Sequence, residues 1–133
     1  MTISTRIPVA MFDVFPHGAY IRGEVRPAED YEKRSAGAGD TQVLDKETGM
    51  RVWEVSVIDP DPEARKGQGE VVVKISADVQ PVPPKAPEGL PFTPVAFTGL
   101  TITPYIDTNR PRPRLAYSIR ATGMVEPGKA KAA

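Results

Sequence analysis

Fifteen prolines and eleven glycines spread over 133 residues leave no stretch in which a long helix could run uninterrupted. Between these breaks the apolar residues alternate with a period of two, the signature of strands with one buried face. Five segments carry it. Ala19 to Val25 places Ala19, Ile21, Gly23 and Val25 on one face, and Tyr20, Arg22 and Glu24 on the other. Arg51 to Ile58 groups Trp53, Val55 and Val57 before an Asp-Pro-Asp-Pro stop at Asp59 to Pro62. Glu70 to Ser76 points Val71, Val73 and Ile75 inward and forms a hairpin with the preceding segment. Val95 to Ile106 contains Gly99 and Pro104, which predict a bulge or bend. Leu115 to Thr122 alternates Leu115, Tyr117, Ile119 and Ala121 with Ala116, Ser118, Arg120 and Thr122.

The connections are uneven. Pro27 to Met50 has little hydrophobic periodicity and reads as a long mobile loop. Gln80 to Pro94 is too rich in proline for a helix and reads as an extended, polyproline-like connection. Five short strands with these two long connections predict an all-β domain: a small five-stranded Greek-key barrel of the oligonucleotide/oligosaccharide-binding (OB) type, with the proline-rich connection in place of the usual helix. An SH3-like barrel or a small sandwich uses the same number of strands. The domain is expected over residues 1–125, with 126–133 as a disordered tail.

Few groups offer chemistry. There is no cysteine, hence no disulfide, thiolate nucleophile or Cys-built metal centre. The single histidine, His17, lies in a Pro-His-Gly turn. Asp59 and Asp61 are held in a proline-stiffened turn and provide too few oxygens for a hard-cation cage. No glycine-rich phosphate loop precedes a helix. The expectation is a non-enzyme with no catalytic residue, metal or cofactor. The first ten residues lack the flank and apolar run of a signal peptide and no apolar stretch of about 18 residues occurs, so a cytoplasmic location away from the membrane is expected.

Formal charge is zero, but it is unevenly placed: residues 1–78 hold 10 basic and 14 acidic side chains, residues 79–133 hold 7 basic and 3 acidic. The basic half contains Asn109 to Arg114 (NRPRPR), in which Arg110, Arg112 and Arg114 are spaced by prolines between Tyr105 and Tyr117. Prolines hold the guanidinium groups extended, and aromatic rings offer stacking surfaces for bases. Tyr20, Arg22, Arg51, Trp53, Lys74 and Arg120 extend this candidate nucleic-acid-binding set. For Trp53 and Tyr117 the competing role is core packing, which their strand faces favour; for the arginine segment it is a solvated turn.

Several strings taken together, FPHGAYIRGEV (Phe15 to Val25), DKETGMRVWEVSVIDPDPEAR (Asp45 to Arg65), VQPVPP (Val79 to Pro84), PFTPVAFTGLTITPYID (Pro91 to Asp107) and RLAYSIRATGM (Arg114 to Met124), resemble a family of small actinobacterial proteins. These are the plasmid replication, integration and excision activators of integrative conjugative elements. The resemblance runs in colinear order from Phe15 to Met124 and brings no catalytic motif. It implies a mobile-element accessory protein. The last four strand segments are also similar in pattern to the helix-destabilising single-strand DNA-binding proteins of filamentous phages, which are OB barrels; the proline-rich connection and neutral charge depart from them. The partners expected are therefore single-stranded DNA, element-encoded replication or recombination proteins and, in a homodimer, a second copy of the chain. A regulatory protein that acts through protein contacts without binding DNA is the alternative.

Overall fold

The computed structural model describes residues 5–30, 33, 35–37, 39–63, 69–86, 89, 92–109 and 111–127. The described chain is all-β apart from one short helix: β1 (Ile7–Pro8), α1 (Met11–Val14), β2 (Ala19–Pro27), β3 (Val52–Ile58), β4 (Glu70–Ser76), β5 (Thr93–Thr98), β6 (Thr101–Asp107), β7 (Arg114–Ala121) and β8 (Gly123–Val125). They form one curled sheet in the order β1-β6-β7-β4-β3-β2-β5-β8. Only β4 and β7 pair in parallel.

Eight strands replace the five expected, for local reasons. The fourth periodic segment is divided at Gly99 and Leu100 into β5 and β6, and a further strand, β8, follows the fifth segment beyond Thr122. At this double corner Gly99 has φ +60°, and Thr122 N donates to Thr98 O at 2.8 Å. A Cβ on Gly99 would lie 2.4 Å from Thr122 Oγ1, so the corner needs glycine for both conformation and space. The additional β1 pairs Ile7 with Ile102 and Pro8 with Thr101. Pro104, expected to bend its strand, stays in β6 opposite Tyr117, on an edge where its missing N–H leaves no ladder bond unmade.

The alternation read from the sequence places the core. Val55, Val57, Val73 and Ile75 are wholly buried, with Ala19, Ile21, Val25, Trp53, Val95, Phe97 and Ala121 around them. Phe15, just after α1, packs on Phe97 with ring centroids 6.1 Å apart. Gly23, counted with the inward face of the first segment, is instead exposed at φ +81°, where the β2–β3 register shifts between Arg22 and Arg26. The expected long loop after β2 folds back on itself over its described residues. Ala28 and Gln42 are buried, Glu29 bridges Gln42, and Leu44 bridges Arg51.

That loop also contains the most deeply buried acid among the described residues. The side chain of Asp45 is only 1% exposed. Its Oδ2 accepts from Arg6 Nη1 at 2.9 Å and from Ser76 Oγ, and its Oδ1 accepts from Glu47 N at 2.8 Å. Burial alone would raise its pKa, but the bonds from Arg6, Ser76 and the Glu47 amide outweigh it and hold the carboxyl well below the ordinary range. This one side chain ties the segment before β1 and the loop to the end of β4.

Candidate nucleic-acid interface

The β6–β7 hairpin is paired over its full length, from Thr101 with Arg120 to Asp107 with Arg114. Its junction with β4 is short: only Ile119, Arg120 and Ala121 face Val73, Lys74 and Ile75. Arg114 to Ser118 therefore run on beyond the parallel pairing, and between them and the first half of β4 lies a groove of about 790 Å³. Glu70, Val71, Val72 and Lys74 form one wall; Thr103, Tyr105, Asp107 and the run from Arg114 to Ile119 form the other.

Register assigns these side chains to faces. Lys74 is opposite Arg120, and Tyr105 is opposite Ala116, so Lys74, Tyr105, Arg114 and Arg120 share the face turned away from the core. Tyr117 is on the reverse face with Pro104, Ile106 and Leu115. Val72, whose side chain shares the Lys74 face, is an exposed apolar member of the groove that alternation counted only as an outward position. Acids temper the local charge: Glu70 accepts from Arg22 Nη1 at 3.0 Å, and Asp107 is the register partner of Arg114.

Of the eleven residues picked from the sequence, the groove unites Lys74, Tyr105, Arg114 and Tyr117. Arg112 is exposed on the turn beside it, and Arg110 lies outside the described residues. The others are placed elsewhere. Trp53 is in the core with Nε1 donating to Ala77 O at 2.9 Å, which removes it from any binding surface and agrees with the packing role its strand face favoured. Tyr117, favoured as core on the same grounds, is 52% exposed, because β4 covers β7 only beyond it. Arg51 is engaged by Gln42 Oε1 at 2.9 Å and Asp40 Oδ2 at 2.7 Å, and it lowers the pKa of Asp40. Arg120 is half-buried near Arg6, Asp45 and Glu47; burial, then the like charge of Arg6, lowers its pKa against the opposing pull of the two acids. Arg22 is exposed and paired with Glu70, and Tyr20 lines a second, apolar pocket with Met11, Phe12 and Phe15.

His17 lies 3.8 Å from Asp61 Oδ1 on the surface. Among the described residues, no three His, Cys, Asp or Glu side chains are grouped so as to hold a metal ion, and no helix is long and apolar enough to cross a membrane. Scans against protein-family models, curated proteins and solved structures returned no match.

Proposed function

We propose that this protein is a mobile-element accessory module that binds single-stranded DNA along the groove between β4 and the β6–β7 hairpin, on an OB-like barrel. The mobile-element setting, replication, integration and excision of a plasmid-like element, comes from the resemblance of the five colinear strings. The OB-like reading counts β5 with β6, and β7 with β8, as two long strands bent at Gly99 and Thr122. With the two-residue β1 set aside, five strands then remain, with the third and fifth parallel and the first paired with both the second and the fourth. This is a Greek-key arrangement in which an OB domain uses the loop between its last two strands beside its binding face.

The observation that carries the proposal is the convergence, from β4, β6 and β7, of Lys74, Tyr105 and Arg114 on one solvent-facing surface, with Arg112 at its end. Tyr105 offers a ring on which one base can stack, a contact worth about 1–3 kcal/mol. Lys74, Arg112 and Arg114 can meet successive phosphates. Because single strands release about 0.7 counterion per neutralised phosphate, three such contacts give a salt slope of about −2. Glu70 and Asp107 keep the footprint short.

Anisotropy titrations of a labelled oligonucleotide at two salt concentrations test this. The parent is expected to bind single strands more tightly than duplex. Arg112→Ala with Arg114→Ala should flatten the salt slope, and Tyr105→Ala should weaken binding with the slope unchanged. No binding by the parent at low salt, or full binding by the double variant, refutes the proposal.

A second reading, a regulatory protein that contacts an element-encoded replication or recombination protein, draws on the proline-rich connection. There Val82 is largely exposed, as is Val79 just before the connection, while Gln80 Nε2 anchors the chain to Val25 O at 3.0 Å. Capture of such a partner, lost when the connection is exchanged for a flexible linker, would favour it.

A further inference from the structure

The two faces of the β6–β7 hairpin differ in chemistry. Tyr105, Asp107 and Arg114 lie on one; the other has Pro104, Ile106, Leu115 and Tyr117, with no charged group among them. These four continue the stripe that runs on through half-buried Ile119 to Ala121 in the core, but beyond the end of the β4 pairing they are uncovered: Ile106 is 59% exposed, Leu115 54% and Tyr117 52%. They also meet as cross-strand pairs, Pro104 with Tyr117 and Ile106 with Leu115, so the face is one continuous apolar plate.

We infer that this plate is the two-fold interface of a homodimer, in which the hairpins of two copies stack plate against plate. Area supports a second copy as occupant. Four side chains about half exposed present on the order of 400 Å², the size at which an apolar patch on a monomer is commonly functional. Two stacked plates remove about 800 Å², half of a standard interface of about 1,600 Å² and in the size range of a weak, reversible association. Charge supports it as well. An uncharged patch is complementary to itself, as a two-fold interface requires, and a chain of formal net charge zero raises little long-range repulsion between copies. Leu115 and Tyr117 also edge the groove, but the assignment does not rest on DNA binding, since Lys74, Tyr105 and Arg114 lie on the opposite face of the hairpin.

Sedimentation of the full chain without nucleic acid provides the test. The parent is expected at twice its 14.4 kDa mass in the micromolar range. Leu115→Glu and Ile106→Lys should each raise the dimer dissociation constant by at least about tenfold, with circular dichroism unchanged. Phe12→Glu, at an apolar side chain that is 74% exposed elsewhere on the surface, should leave the dimer intact. Because the chain has no cysteine, Leu115→Cys gives an independent readout: mild oxidation should cross-link it between copies faster than Phe12→Cys. A monomeric parent, a dimer indifferent to both hairpin variants, equal cross-linking at residues 115 and 12, or a dimer formed only with oligonucleotide would each overturn the assignment.

Discussion

Replacing Asp45 by asparagine perturbs the fold at one buried point and has a calculable cost. The amide keeps one oxygen for the Glu47 N–H at 2.8 Å, but it turns an NH₂ toward the place where Arg6 Nη1 donates at 2.9 Å. Two donors then face each other, and the Ser76 hydroxyl loses its charged acceptor. A hydrogen bond to a charged group contributes about 1.5–3 kcal/mol and a lost second partner about 1 more. Glu47 Oε2, 3.1 Å from the same Arg6 nitrogen, offsets part of the loss. The expected cost is about 3 kcal/mol at neutral pH, a shift of about 10 °C in Tm for a chain of this size. The pH dependence has a definite sign. Because the carboxyl's pKa is lower in the folded state than its unfolded value of about 3.9, its contribution is complete above that pH and is lost as pH falls toward the folded value. Parent and variant should therefore converge on acidification. Urea unfolding at neutral pH and at two acid values measures this. A neutral-pH cost below about 1 kcal/mol, or a gap that widens in acid, would refute the placement of this carboxylate at the centre of the clasp.

Two further substitutions separate structural from binding roles. Gly99→Ala should cost more than the roughly 1–2 kcal/mol of a left-handed alanine, because its Cβ also meets Thr122; calorimetry of Gly99→Ala with and without Thr122→Ser, which removes the Cγ2 at 2.8 Å, should show part of the loss recovered. Trp53→Phe should destabilise by at least about 1 kcal/mol through the lost bond to Ala77 O, while oligonucleotide affinity stays at the parent value; a specific loss of affinity would return Trp53 to the binding surface.

Much of this architecture is legible in the alternation of single residues. Val55, Val57, Val73 and Ile75 are where period two puts them, and Gly99 marks a real corner. What alternation cannot give is the extent of a neighbour. Leu115, Tyr117, Ile119 and Ala121 form one apolar stripe in the sequence, yet it passes from exposed Leu115 and Tyr117 through half-buried Ile119 to buried Ala121, because coverage depends on how far β4 follows β7. Asp45 lies in the stretch from Pro27 to Met50, which reads only as a loop; the partners that bury it, Arg6 and Ser76, are 39 and 31 residues away. The candidate site shows the same division. Its aromatic and basic members are visible as types, but the bond of Arg51 to Asp40 and the half-buried position of Arg120 near Arg6, Asp45 and Glu47 arise only on folding.

The brief parallel pairing of β4 with β7 also bears on how the chain reaches this structure. Its residues are separated in sequence by the whole of β5 and β6, so the contact closes a large loop and returns only a few ladder bonds for that entropy. The long hairpin, being local, can assemble first and deliver β7 to β4 as a preformed unit. Folding is then expected on the slow, millisecond-to-second side characteristic of non-local β topologies, with stability of the β6–β7 hairpin acting directly on the folding rate. Weakening its outer half should slow refolding while leaving unfolding almost unchanged, a kinetic signature that equilibrium measurements do not reveal.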